Sequence, residues 1–155
     1  MNFSSLELKV PPVAVVAVAA LLMWAISYLL PALNLALPGR TPAAILAALI
    51  GVVAAVAGVV EFRRARTTVN PLKPESASAL VAGGIYQLTR NPMYLGFAFA
   101  LLGWGVFLSN PVSLAVLFVF VGYMNRFQIG PEERALESLF GEEFAAYRSK
   151  VRRWL

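Results

Sequence analysis

The chain has 155 residues, which is the length of a single domain. Hydrophobic residues make up 59% of the chain and charged residues 14%, against about 45–50% and about 25% in soluble domains, and this composition indicates a membrane protein. The net charge is +5, and the absence of cysteine, histidine and aspartate excludes disulfides, thiolate nucleophiles, histidine-based triads and histidine zinc sites.

Three long runs of the sequence carry no charge, at residues 10–39, 41–60 and 91–125. Each of the first two can hold one membrane span of about 20 residues. The third has 35 residues, enough for two short spans of about 17 residues each with a turn at Ser109, Asn110 and Pro111. The sequence therefore predicts an all-α membrane protein with about four transmembrane helices, and the fourth is expected to continue past Asn125.

Prolines and small residues indicate where these helices begin and how they pack. Pro12 and Pro42 suit the first turn of helices one and two, where a missing N–H needs no partner. Pro31 either ends helix one or kinks it, and helix three is expected to begin near Pro92. Small residues at four-residue spacing on helix two allow a neighbouring helix to approach closely; they are Ala47, Gly51 and Ala55, with Ala54 and Gly58 beside them.

The last segment is predicted to be a C-terminal amphipathic helix at the cytoplasmic membrane surface. Gly130 is expected to cap it, with Pro131 at the first position and two glutamates in the first turn, where they complement the helix dipole. Gly141 is expected to interrupt its apolar stripe. We treat residues 1–155 as one domain, with two spans in residues 1–62 and the loop, hairpin and final helix in residues 63–155.

The distribution of basic residues predicts the orientation in the membrane. With four spans, twelve of the thirteen lysines and arginines fall on the side of the two termini, and only Arg40 falls opposite. By the positive-inside rule both termini and the long loop are then cytoplasmic, so the basic charge requires no nucleic-acid partner. A cleaved signal peptide is the less favoured interpretation of the first 30 residues, because the apolar run exceeds the usual length and Glu7 offsets Lys9.

Two polar segments bracket the predicted hairpin of helices three and four. Non-spanning loops as long as residues 61–90 are usually functional or disordered, and we expect the apolar part, "ASALVAGGIYQL", to fold against the membrane or to line a site. If both hairpin helices span, the two segments meet on the same side. The residues brought together would be Arg90, Asn91 and Tyr94 with Asn125, Arg126, Gln128, Glu132 and Glu133.

The bracketing residues have a structural and a functional interpretation. Charged helix ends are common, and polar groups at such depth are either satisfied structurally or line a cavity. A site without histidine, cysteine or aspartate is poor at acid–base catalysis near neutral pH and suits a reaction that needs mainly positioning. Methyl transfer from a sulfonium donor is such a reaction, since tyrosine faces favour a sulfonium cation and glutamates can hold the ammonium or ribose groups of the donor.

From about residue 63 the sequence resembles the isoprenylcysteine carboxyl methyltransferase family of integral-membrane enzymes. The matching stretches are "SALVAGGIYQLTRNPMYLG", the pair Asn110 and Pro111, and "EERALESLFGEEFAAYRSKV". The resemblance implies S-adenosylmethionine as cofactor, with S-adenosylhomocysteine as product. The donor contacts that it implies are Ser78, Ala79, Leu80, Val81, Tyr86, Asn91, Pro92, Met93, Tyr94 and Glu132.

The resemblance also implies a catalytic group and shows three departures. Glu133 would support Glu132, the family's motif histidine is Asn91 here, and the histidine that often precedes "LV" is Ser78. The arginine that binds the substrate carboxylate in the eukaryotic enzymes corresponds to Gln128, with Arg126 as a substitute two residues earlier. The resemblance is therefore not taken to imply that isoprenylcysteine is the substrate of this chain.

The leading hypothesis is an S-adenosylmethionine-dependent methyltransferase of the cytoplasmic membrane. Its acceptor would be a small apolar or lipid-borne carboxylate, amine or thiol that enters from the bilayer. A phospholipid N-methyltransferase-like enzyme is the alternative within the same class. A non-catalytic membrane protein that retains the fold is the alternative outside it, and a transporter or channel is disfavoured because the helices are polar only near their ends. The oligomeric state is left open.

Overall fold

A computed structural model describes residues 7–67 and 70–155, so expectations for residues 1–6 and 68–69 lie outside the described residues. The described residues form helices and turns without any strand, which confirms the all-α prediction. The helices are α1 (Pro12–Leu29), α2 (Arg40–Arg64), α3 (Pro92–Leu108), α4 (Pro111–Tyr123) and α5 (Gly130–Lys150). A π-helical segment, Met124–Ile129, joins α4 to α5 without a break.

The helices have the apolar character of membrane spans. By length and composition, α1, α2 and the continuous helix Pro111–Lys150 can cross a membrane, and α3 is a shorter apolar helix. Large apolar side chains such as Leu21, Val53 and Phe118 are exposed on their outer faces, where lipid replaces the protein core as the partner. The prediction of an all-α membrane protein with about four apolar helices is confirmed, with a short third helix and a fourth that continues past Asn125 as expected.

Helix α1 ends rather than kinks at its proline. Its last residue is Leu29, and Pro31 begins a 3₁₀ turn, Pro31–Leu33. The Asn34 amide of this turn donates to the Ser27 carbonyl oxygen at 3.2 Å. The chain therefore turns back toward the end of α1, so Pro31 marks the end of this helix and not a kink within it.

Helices α2 and α3 form the closest pair, and glycines make the approach possible. A Cβ at Gly51 would lie 2.5 Å from the Gly96 carbonyl oxygen, and a Cβ at Gly96 would lie 2.5 Å from the Gly51 carbonyl oxygen. A Cβ at Gly103 would lie 2.7 Å from the Ala44 carbonyl oxygen. Because no side chain fits at these contacts, the small-residue face predicted on helix two is the contact surface, and Gly96 and Gly103 of α3 lie against it.

The turn between α3 and α4 lies where the sequence predicts it. Ser109 adopts a positive φ of 55°, and Asn110 caps α4 by accepting from the Ser113 backbone N–H at 2.9 Å. The Asn110 amide donates to Asn34 Oδ1 at 2.8 Å, and the Ser113 hydroxyl donates to the Met23 carbonyl oxygen at 2.8 Å. These bonds tie the hairpin turn to the end of α1.

The predicted cap at Gly130 is wrong in detail, because the chain stays helical through it. Gly130 has φ −57° and ψ −50° and is the first residue of α5, with Pro131 in the first turn. Pro131 has no N–H to offer the Phe127 carbonyl, four residues earlier. That oxygen instead accepts from the Leu8 backbone N–H at 3.0 Å, so the residues before α1 complete the π segment.

The second half of α5 turns back toward the protein. Gly141 has φ 47° and ψ −118°, which confirms an interruption of the helix there. Phe144 is 2% exposed after this kink, and the Tyr147 hydroxyl donates to the Tyr86 carbonyl oxygen at 2.7 Å. Part of the apolar stripe of the final helix thus packs against the loop that precedes α3.

Candidate functional site

The α3–α4 hairpin brings the two predicted polar segments together. The Arg90 Nη2 donates to Glu133 Oε1 at 2.8 Å, and the Tyr94 hydroxyl donates to Glu132 Oε1. Both arginine and tyrosine lie at the start of α3, and both glutamates lie in the first turn of α5. The predicted convergence is therefore present in the structure.

Arg90 connects the start of α3 to the end of the chain. Its side chain is 11% exposed, and Nη1 donates to the carbonyl oxygens of Arg148 and Val151 at 2.9 and 3.0 Å. The Arg90 backbone N–H donates to the Arg152 carbonyl oxygen at 3.0 Å. One side chain therefore bridges α3, the first turn of α5 and the residues after α5.

The residues after α5 complete this side of the site, which the sequence did not indicate. The Arg153 carbonyl oxygen accepts from Asn91 Nδ2 at 2.9 Å and from the Thr89 hydroxyl at 3.2 Å. The Arg153 guanidinium pairs with Glu133 at 2.5 Å, and Trp154 Nε1 donates to Asn125 Oδ1 at 3.0 Å. The sequence predicts only an amphipathic surface helix for this segment, because the pattern of charges does not show which backbone carbonyl groups reach the site.

Gln128 is at the centre of the polar cluster. It is 2% exposed, and its Nε2 donates to the Pro71 carbonyl oxygen at 2.6 Å and to Glu132 Oε1 at 2.8 Å. Glu132 therefore accepts from both Gln128 and Tyr94. The arrangement links the loop before α3 to the π segment and to α5.

Arg126 is not brought to this cluster. It is 52% exposed and donates to Glu7 Oε1 at 2.5 Å, while Arg134 pairs with Glu7 Oε2. The hydrogen bond from Arg126 is the main reason that the pKa of Glu7 is held below its ordinary value. Because the π segment continues the helix, Arg126 faces the residues before α1, whereas Gln128 faces inward.

Two adjoining cavities lie around Glu132. The first has a volume of about 80 Å³ and the second about 90 Å³; both are open to solvent, and each is smaller than the range of about 300–1,000 Å³ typical of sites that enclose a small molecule. The first is lined by Phe62, Asn70, Pro71, Pro74, Ala77, Asn91, Met93, Tyr94, Glu132 and Leu136. The second is lined by Phe62, Ala77, Ala79, Leu80, Val81, Tyr86, Arg90, Asn91, Glu132, Glu133, Leu136, Phe144 and Tyr147.

Most of the predicted donor contacts line these cavities, and two do not. The lining includes Ala79, Leu80, Val81, Tyr86, Asn91, Met93, Tyr94 and Glu132. The Ser78 backbone N–H donates to the Thr67 hydroxyl at 2.9 Å, and Pro92 is buried against Gly58, so neither is part of either lining. The apolar lining residues Phe62, Leu136 and Phe144 were missed, because apolar residues outside a motif look like ordinary helix packing.

The cavities have groups that fit an S-adenosylmethionine-type donor. Arg90 Nε is buried and has no hydrogen-bond partner among the described residues, and Arg90 lines the second cavity beside Tyr86 and Phe144. Burial raises the pKa of the Tyr86 hydroxyl, so this ring stays neutral. A guanidinium, aromatic rings and a glutamate suit a ligand with carboxylate, adenine, ribose and ammonium groups.

Comparison with known proteins shows similarity to membrane methyltransferases. The family model described as "Phospholipid methyltransferase" matches residues 40–143. An uncharacterized protein of Haemophilus influenzae is 44% identical over 63 residues, which are 41% of this chain and 100% of that protein. Protein-S-isoprenylcysteine O-methyltransferase of Saccharomyces cerevisiae is 39% identical over 82 residues, 51% of this chain and 33% of that protein.

A plant relative gives a longer match. Protein-S-isoprenylcysteine O-methyltransferase B of Arabidopsis thaliana is 29% identical over 103 residues, which are 66% of this chain and 52% of that protein. The chain therefore spans between a third and a half of the length of these two isoprenylcysteine methyltransferases. The resemblance that the motifs predicted is confirmed.

Proposed function

The chain belongs to the phospholipid methyltransferase family, and we propose that it is an S-adenosylmethionine-dependent membrane methyltransferase with a small apolar or lipid-borne acceptor. The observation that carries the proposal is the placement of Glu132. Its carboxylate lies on both cavities and accepts hydrogen bonds from Tyr94 and Gln128. A donor in one cavity and an acceptor in the other would meet beside this carboxylate.

The second cavity is the better site for the donor. Arg90, which lines this cavity, would bring positive charge near the donor carboxylate, and the rings of Tyr86 and Phe144 would contact the adenine. Glu132 would hold the ammonium or ribose hydroxyl groups. When bound, S-adenosylmethionine supplies a methyl group that is already activated by its sulfonium charge, so the protein has mainly to orient the reactants and exclude water.

The first cavity favours an acceptor without negative charge. Among the described residues, its lining contains Glu132 and neither lysine nor arginine. An anionic acceptor would lose its hydration there without a cation to compensate, which is costly in a buried site. An amine acceptor, as in the phospholipid N-methyltransferase alternative, is the second candidate supported by this observation, and Glu132 is the group of that lining that could accept the proton which an ammonium must lose.

The position of the two cavities in the protein is consistent with a donor in the second cavity and an acceptor in the first. The long helices make the protein a multi-pass membrane protein, and Met93 and Phe62 place the first cavity at the ends of α3 and α2. From the positive-inside rule we propose that the site faces the cytoplasm. The donor would then reach it from water, and a lipid-borne acceptor would reach it from the bilayer.

Calorimetric titration of the detergent-purified protein with S-adenosylhomocysteine tests donor binding. We expect saturable binding that is lost in Glu132→Ala and kept in Glu142→Ala, which removes an exposed carboxylate from the same helix. Incubation with radiolabelled S-adenosylmethionine and a membrane lipid extract then tests transfer, and label in the lipid fraction is the expected result. A folded wild-type protein that binds no donor would contradict the proposal, and donor binding without transfer to any membrane component would favour the non-catalytic alternative.

A further inference from the structure

We propose that Gln128 is a positioning residue that fastens the loop at Pro71 to Glu132 and so shapes both cavities, and that it does not bind the acceptor. The part of this inference that concerns the acceptor rests on the proposed function. The other part, that Gln128 holds the loop at Pro71 in place, can be tested without any ligand.

The two hydrogen bonds of Gln128 carry the inference. Its Nε2 donates to the Pro71 carbonyl oxygen at 2.6 Å and to Glu132 Oε1 at 2.8 Å. A glutamine amide has two N–H groups, and each is used by one of these acceptors. No N–H of Gln128 is therefore available to an acceptor carboxylate, although this is the position where the resembling enzymes have their substrate-binding arginine.

The two acceptors are themselves parts of the site. Pro71 and Glu132 both line the first cavity, on opposite elements of the chain. Pro71 lies in the loop after α2, and Glu132 lies in the first turn of α5. The amide of Gln128 thus fixes the width of the first cavity at this point, and it orients the carboxylate that the second cavity shares.

The surroundings hold Gln128 in this orientation. It is 2% exposed and lies in the π segment Met124–Ile129, a type of turn that is frequent at functional sites. The Phe127 carbonyl of this segment is satisfied by the Leu8 backbone N–H. The π segment is therefore stabilised from outside the site. Gln128 faces inward from it, and Arg126, two residues earlier and so on nearly the opposite face, is exposed.

A neutral side chain at this position also determines the charge near the acceptor. Among the described residues, no lysine or arginine forms an ion pair with Glu132, while Arg90 and Arg153 both pair with Glu133. Glutamine supplies one hydrogen bond to Glu132 without adding a positive charge beside it. An arginine would supply a hydrogen bond and a positive charge together, so the glutamine leaves Glu132 without a cation at this contact.

The test uses Gln128→Met, which keeps the approximate size and removes both N–H groups, with Gln87→Met as the matched control at an exposed position. Hydrogen exchange of the amides of residues 72–78 is measured by mass spectrometry in the ligand-free protein, and S-adenosylhomocysteine affinity is measured by calorimetry. We expect Gln128→Met to exchange about ten times faster in this segment and to bind about ten times more weakly, as expected for about 1.4 kcal/mol of lost hydrogen bonding. The control should change neither value.

Gln128→Arg separates positioning from space-filling. A guanidinium has enough N–H groups for both acceptors, so we expect exchange in residues 72–78 close to that of the wild type. Wild-type exchange and affinity in Gln128→Met would overturn the proposal, since a merely space-filling side chain tolerates methionine. If Gln128→Met does not fold, the test depends on Gln128→Arg. Hydrogen exchange of residues 72–78 that is faster than in the wild type would then overturn the proposal. Failure of the wild type to bind S-adenosylhomocysteine would contradict the proposed function, while the exchange result would still decide the role of Gln128.

Discussion

The Tyr94 hydroxyl donates a hydrogen bond to the Glu132 carboxylate, joining the first turn of α3 to the first turn of α5. Both residues belong to motifs that are separated in sequence by the whole hairpin of α3 and α4. Tyr94 is 6% exposed, and both residues line the first cavity. The bond therefore closes the hairpin at the same place where the two proposed substrates would meet.

Replacing Tyr94 with phenylalanine should weaken both the fold and donor binding. The change removes one of the two side chains that donate to a buried carboxylate, and leaving such a group short of a partner costs about 1–3 kcal/mol. We expect a lower thermal midpoint in detergent and weaker binding of S-adenosylhomocysteine. Tyr28→Phe is the control, because Tyr28 is 71% exposed on α1, and an equal loss in both variants would contradict a specific role for the Tyr94 hydroxyl.

Removing the Arg90 side chain should detach the residues after α5. Arg90→Gln leaves Glu133, which is 12% exposed, with one cation fewer and frees two carbonyl groups near the end of the chain. Breaking a buried pair from one side costs about 3–5 kcal/mol, so a large fall in the thermal midpoint is expected, with faster hydrogen exchange at residues 147–154.

Arg64→Gln is the matched control for this prediction. Arg64 is 73% exposed and pairs with Glu61 on the surface of α2. Exposed pairs contribute about 0–1 kcal/mol, so this variant should melt close to the wild type. A comparable loss of stability in Arg64→Gln and Arg90→Gln would show that charge alone, and not the buried bridge, accounts for the effect.

A methyl group at Gly51 should disturb the contact between α2 and α3. A Cβ there would lie 2.5 Å from the Gly96 carbonyl oxygen, which is backbone and cannot rotate away. Overpacking of this kind costs about 1–3 kcal/mol, so Gly51→Ala should lower the thermal midpoint. Gly122→Ala meets nothing within 4 Å and should be stable, and a stable Gly51→Ala would show that the two helices can separate without cost.

The sequence was sufficient for the helices because their signals are local. The charge-free runs, the turn at Ser109 and Asn110, and the small residues of α2 each depend on neighbours within a few positions. The same holds for Gly141, whose positive φ is a property that glycine adopts without strain. These features follow from hydropathy and backbone sterics, which are properties of the residue and its segment.

The motifs predicted which residues meet, but not how each is used. Arg90, Asn91, Tyr94, Gln128 and Glu132 do converge, since the hairpin returns the chain to the same side of the membrane. The sequence placed Arg126 and Gln128 together as candidates for one role, whereas the structure separates them. That separation follows from helix geometry, because residues two positions apart lie on nearly opposite faces of a helix.

By itself the sequence determined an all-α membrane protein, the ends of most helices and the two polar segments that form the site, because apolar run length and motif residues are encoded locally. Only the tertiary structure decided that the carbonyl groups of the last residues hold the start of α3, that Glu7 binds Arg126 on the outside, and that Gln128 joins Pro71 to Glu132. Apart from the bond between Gln128 and Glu132, which are four positions apart, each of these contacts joins residues distant in sequence. The physical reason is that a buried N–H or carboxylate takes the partner that the packed helices bring within hydrogen-bond distance, and no local pattern specifies that partner.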